Sequence, residues 1–263
     1  MKNYLYILLA TLALTSCEKV IEVKTDGNNN TIVIEGNITN TPPPYYVKVT
    51  NSVPYTQSNV FPQVTNALVI ITTNNGVRDT LTHTANGIYK TNKIIGTPGT
   101  TYNLSVATNN TTYTAQSKMP NVVVLDSLRS ISLKFRDEIQ YNVIPVYTDA
   151  QVFGNGYRFI QWINGVQDKT YIVWNDNTNN GLVNQRPIRT RDADVKIKVG
   201  DLVKVEMRCI DENVYAYFYT LQELVGGGLG GGATPTNPPN NLSNGALGIF
   251  SAHTTQEKSM IIR

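Results

Sequence analysis

A chain of 263 residues can bury one large core or two modest ones. Its charged fraction is only 16%, and Asn, Thr, Tyr and Gly are abundant, a balance that fits an extracytoplasmic β protein better than a helical cytosolic one. The formal charge is +3 with no Lys/Arg cluster, which argues against nucleic acid as a partner.

Residues 1–16 read as a lipoprotein signal peptide. Lys2 gives a positive start, and the uncharged apolar run 4–14 is too short for a bilayer, which needs about 20 apolar residues. Leu14-Thr15-Ser16-Cys17 then fits a lipobox. The cysteine thiolate is the nucleophile that accepts a diacylglyceryl group, and small residues before it admit the signal peptidase. Cys17 is therefore the expected lipidation site, and a membrane reached through that lipid is the first expected partner. Acyl chains hold at about 0.8 kcal/mol per buried methylene. Cleavage removes Lys2, so the mature protein is close to neutral. Residues 17–30, ending in Gly27-Asn28-Asn29-Asn30, read as a lipid-anchored tether.

From residue 31 short alternating apolar runs begin. Strands are expected at 31–38, 45–51, 67–72, 80–84, 102–108 and 113–116, separated by Pro42-Pro43-Pro44, Asn74-Asn75-Gly76, Asn86-Gly87 and Asn109-Asn110. That spacing predicts an immunoglobulin- or transthyretin-like β-sandwich over 31–120. A second β-rich domain is expected over 121–263, with strands at 122–125, 128–135, 142–147, 157–163, 169–174, 195–199 and 202–210. In 202–210, Val203, Val205, Met207 and Cys209 share one face, which makes Cys209 a buried, inert thiol. With Cys17 acylated, Cys209 has no partner for a disulfide within the chain. One amphipathic helix is expected at 213–225, capped by Asp211 or Asn213, followed by a Gly/Pro-rich loop at 226–241. Two closing strands, 248–252 and 258–262, complete a mainly β fold.

The chain resembles the Bacteroidetes lipoprotein family known as domain of unknown function 4249. The resemblance rests on the Cys17 start, Ile32-Val33-Ile34-Glu35-Gly36, Asn86-Gly87-Ile88-Tyr89, Gly200-Asp201-Leu202-Val203 and Gly245-Ala246-Leu247-Gly248-Ile249-Phe250-Ser251-Ala252, in that order. It implies an accessory role beside a TonB-dependent outer-membrane barrel, because members are typically encoded next to such transporters. It supplies no catalytic residues to carry over. Glu18-Lys19-Val20-Ile21-Glu22 partly matches the acidic stretch that directs such lipoproteins to the cell surface, which leaves the periplasmic face as the alternative.

Enzyme chemistry is not expected, and no catalytic residue, metal site or cofactor is assigned. His83 and His253 sit among threonines, and no G-x-S-x-G elbow occurs. Asp176-Asn177-Thr178-Asn179-Asn180-Gly181 imitates a calcium loop in part, but Pro187 stands where an EF-hand would place its bidentate acid, so a plain turn is the reading. The glycines of 226–232 follow a helix and lack the Gly-Lys-Ser/Thr ending of a phosphate loop. Asp79-Thr80-Leu81 and Asp126-Ser127-Leu128 match a short O-glycosylation pattern. The helix carries more aromatic rings than one sheet can bury, so Tyr215 and Tyr219, with Gly228 and Leu229 of the loop, are the expected partner-binding residues. The expected function is a non-enzymatic outer-membrane lipoprotein assisting a TonB-dependent transporter in nutrient uptake. A self-sufficient surface adhesin or glycan-binding module is the alternative.

Overall fold

The computed structural model describes residues 30–54, 57–135, 138–190, 195–225 and 237–263. The expected signal peptide, Cys17, Gly228 and Leu229 lie outside these residues.

The chain folds into fifteen strands and one helix among the described residues. In order they are β1 (Ile32–Thr39), β2 (Tyr46–Asn51), β3 (Leu68–Thr73), β4 (Arg78–Thr80), β5 (Thr82–His83), β6 (Ile88–Lys90), β7 (Thr101–Thr108), β8 (Thr111–Lys118), β9 (Leu125–Phe135), β10 (Glu138–Tyr147), β11 (Gly156–Ile163), β12 (Val166–Gln167), β13 (Ile172–Asn175), β14 (Leu202–Ile210), α1 (Glu212–Val225) and β15 (Leu247–Ile261). A nine-stranded sheet runs β12-β11-β14-β15-β1-β2-β6-β5, with β13 paired to β11. A four-stranded sheet runs β4-β3-β7-β8, and β9 and β10 form a separate hairpin. The fold is mainly β, arranged as sandwiches.

Alternation explains the first sandwich. Ile32, Ile34 and Ile38 of β1 point inward against Tyr102, Leu104 and Val106 of β7. Gly36 occupies the inward position between them because the Phe250 ring crosses there: a Cβ would stand 2.9 Å from its Cδ2. The second core gathers Phe159, Trp174, Val205 and Met207 under the β9–β10 hairpin, whose Val143 is fully buried.

β15 joins the two halves. Its first half pairs in parallel with β1 from Leu247 to His253, and its second half pairs antiparallel with β14 from Thr254 to Ile261. At about 3.3 Å per residue such a strand runs roughly 50 Å. Two closing strands were expected here; one continuous strand is found. Its middle residues Phe250 to Thr254 are buried on both faces, so the alternation that would have marked a single strand is absent. Likewise 80–84 is not one strand. The chain crosses the sandwich at buried Leu81, so β4 pairs with β3 while β5 pairs with β6 in the opposite sheet. The segments 122–124 and 195–199 form no strand, and β6 was not expected.

Asp211 caps the helix. Its Oδ1 accepts the Val214 N–H at 2.9 Å and its carbonyl accepts the Tyr215 N–H at 2.8 Å. Its other carboxylate oxygen takes a hydrogen bond from the Ser117 hydroxyl, which in turn accepts the Ala252 N–H at 2.8 Å. Helix start, β8 edge and β15 are thus fastened at one point. The helix then lies on the outer face of the nine-stranded sheet, with Val214 packed against Val173, Ile210 and Ile249.

Candidate functional site

The helix leaves one aromatic edge uncovered. Tyr215 and Tyr219, one turn apart, stack with ring centres 5.7 Å apart and planes 22° from parallel. Tyr215 is half-buried beside Gly156, where a Cβ would come within 3.2 Å of it, while Tyr219 is 45% exposed. The remaining rings turn to the sheet: Phe218 receives the Arg158 guanidinium at 3.7 Å and meets Tyr217 edge-on at 5.2 Å.

Next to this edge, two small cavities share Trp174 and Arg186 as walls. One, of about 320 Å3, is bounded by Tyr171, Arg189 and Gln222. The other, of about 340 Å3, is bounded by Tyr157, Asp149, Asp176 and Asn184. Gln222 fastens the helix to the sheet edge by accepting the Val173 N–H at 2.9 Å. Trp174 packs on Phe159 with centres 4.4 Å apart, and Arg186 stands 5.2 Å from the Trp174 ring centre.

Hydrogen bonds build the second cavity from three chain segments. Asp149 lies just after β10; its N–H donates to the Leu182 carbonyl at 3.0 Å, and its Oδ2 accepts the Gly181 N–H at 3.0 Å. Its Oδ1 accepts the Tyr157 hydroxyl. Burial first, and then that carboxylate, push the Tyr157 hydroxyl far above its ordinary pKa, so it stays a donor. Asp176, just after β13, accepts the Asn155 N–H at 2.9 Å and its side-chain amide at 3.2 Å. Asn184 donates to the Pro145 carbonyl at 2.9 Å. Two carboxylates, one arginine and three large aromatic rings, Tyr147, Tyr157 and Trp174, therefore surround one small volume, a set suited to polar ligands. Among the described residues no three His, Cys, Asp or Glu side chains converge.

The other candidate residues have structural employment. Cys209 is buried, and burial pushes its thiol up, which keeps it protonated and unreactive. His253 is 2% exposed, and its Nδ1 lies 2.9 Å from the Ser251 hydroxyl. Burial, with the Arg208 and Arg158 charges nearby, holds its pKa well below the ordinary value, so the ring is neutral. Ser251 is equally buried, so this pair does not face a substrate. Glu206 pairs with Arg208 at 2.6 Å and accepts the Thr255 hydroxyl; burial raises its pKa, but these bonds outweigh it and hold the carboxyl low. Asp79 accepts three backbone N–H bonds, from Asn92, Lys93 and Ile94, which gives its buried carboxylate a task within the fold. A larger groove, about 720 Å3, is an open trough over the four-stranded sheet, lined by neutral polar chains such as Asn103 and Gln116, with Arg78 at its side.

Of the residues expected to bind a partner, Tyr215 and Tyr219 stand together on the helix edge, while Gly228 and Leu229 fall outside the described residues. Asp149 and Arg186 were not singled out in the sequence. Neither sits in a motif; backbone pairing between 149 and 182 brings them to Asp176. No curated protein matches the chain. The model of the family described as Domain of unknown function (DUF4249) matches residues 18–259, nearly the whole length, and the chain belongs to that family.

Proposed function

We propose that the protein is a non-enzymatic lipoprotein of the outer membrane, tethered through Cys17, that assists a TonB-dependent barrel in nutrient uptake. The observation that carries the reading is the Tyr215–Tyr219 ladder, an exposed aromatic edge on a helix otherwise committed to the sheet. Tyrosine supplies large contact area with a polar tip, and such rings dominate binding at interfaces. The lipobox and the genomic company of the family, noted above, support the same reading. Acyl chains would confine the domain near the barrel and raise its effective concentration, so that a modest contact suffices.

The test is affinity purification of the tagged chain from membranes in mild detergent, beside a Cys17→Ala variant. A barrel protein should co-purify with the wild type, and the variant should fold but leave the membrane fraction. Recovery of no barrel partner would count against the transport role. Glycan binding by the soluble fragment without a partner would move the reading to an adhesin.

A further inference from the structure

The turn at 176–181 holds two buried oxygens that meet no donor. Asp176 is 2% exposed, and while its Oδ2 accepts two bonds from Asn155, its Oδ1 accepts none. Asn180 is fixed through its Nδ2, which donates to the Gln151 carbonyl at 3.3 Å, and its Oδ1 is likewise buried and unpartnered. The turn itself is closed by the Asn179 N–H on the Asp176 carbonyl at 3.1 Å. A buried acceptor left without a donor is costly, and a native fold keeps few of them. Both orphans here are oxygens of one turn. Asp149, a second buried carboxylate, lines the same cavity as Asp176 and is bound to Gly181 at the end of that turn.

A surplus of carboxylate and amide oxygens over donors is what a hard cation requires. Calcium accepts six to eight such oxygens, including backbone carbonyls, in irregular geometry, whereas magnesium demands a near-ideal octahedron. We propose that the 176–180 turn and Asp149 together form a calcium site. The missing acid of an EF-hand is supplied from outside the loop, by a residue that precedes it in sequence. Arg186 lines the same cavity and its charge opposes the ion, and only two carboxylates contribute. The affinity therefore belongs to the weak extracellular range, with Kd of about 10⁻⁴–10⁻³ M. The site does not depend on any barrel partner.

Terbium titration of the purified full chain provides the test, because Trp174 in the cavity wall can sensitise the bound lanthanide. Excitation of tryptophan should give terbium emission that calcium displaces, and about 10 mM calcium should raise Tm by roughly 3–10 °C while magnesium does little. Asp176→Asn should weaken calcium binding by about tenfold or more, and Asn180→Ala, which leaves the buried carboxylates in place, should weaken it by a smaller factor. Should Asp176→Asn fail to fold, Asn180→Ala reads the same site. Absence of both terbium emission and a calcium-dependent Tm shift in the wild type would overturn the proposal. So would calcium affinity unchanged in the variants.

Discussion

In the first sandwich the buried polar side chains are hydroxyls, Thr50, Thr91, Thr108 and Ser117, together with one acid, Asp79, whose hydrogen bonds are made. In the second, Asp149, Gln161, Asp168, Asp176 and Asn184 all lie inside. Among the described residues, the unpartnered buried atoms are Thr108 Oγ1 in the first region, Gln161 Oε1, Asp176 Oδ1 and Asn180 Oδ1 in the second, and His253 Nε2 and Thr254 Oγ1 on the shared strand β15. Consistent local choices make a stable scaffold, and departures from them gather where a molecule works. That contrast fits the proposed function, in which the first sandwich is support and the second, with the helix on its flank, meets ligands. They are not separable bodies, because β15 contributes to both.

The largest effect should come from breaking that shared strand. Phe250 is fully buried in the first core, and Phe250→Ala should cost about 3–5 kcal/mol in chemical denaturation. A single unfolding transition, shifted as a whole, is expected. Two resolved transitions, only one of them displaced, would mean that the halves fold apart and that β15 does not couple them.

A smaller effect separates satisfied from unsatisfied buried acids. Burial would raise the Asp79 pKa, but the N–H bonds from Lys93, Asn92 and Ile94 outweigh it and hold the carboxyl below its ordinary 3.8. A carboxyl depressed in the fold contributes stability above that ordinary value and loses it as pH falls through the lower folded value. Asp79→Asn should therefore cost about 1–3 kcal/mol at pH 7, and the gap to wild type should narrow in acid. Thermal unfolding from pH 7 down to about pH 3 measures this. Asp211 works in the opposite sense, since burial raises its carboxyl, so the variant comparison is needed to isolate Asp79. A gap that stayed constant with pH would contradict the assignment.

Much of the scaffold was legible in the residues. β14 was expected at 202–210 and stands there, because Val203, Val205, Met207 and Cys209 alternate strictly with polar neighbours. The helix was legible for the converse reason, its apolar residues recurring at three and four. β15 was not, because its centre is covered on both sides and shows no period. The candidate site divides the same way. Tyr219 could be picked out as an aromatic in excess of what one sheet buries. Asp149 could not be joined to Asp176 from sequence, since the bonds that bring them together, from Asp149 to Leu182 and to Gly181, join distant segments of the chain outside any motif.

The smallest effect on stability carries the central claim. Tyr219 of the helix and Tyr46 of β2 are exposed to nearly the same degree, 45% and 49%, one beside each sandwich. Substituting either by Ala should change stability by no more than about 0.5 kcal/mol. In co-purification from membranes, Tyr219→Ala should lose the barrel partner while Tyr46→Ala retains it. Loss with Tyr46→Ala and retention with Tyr219→Ala would contradict the account and place the working surface on the first sandwich.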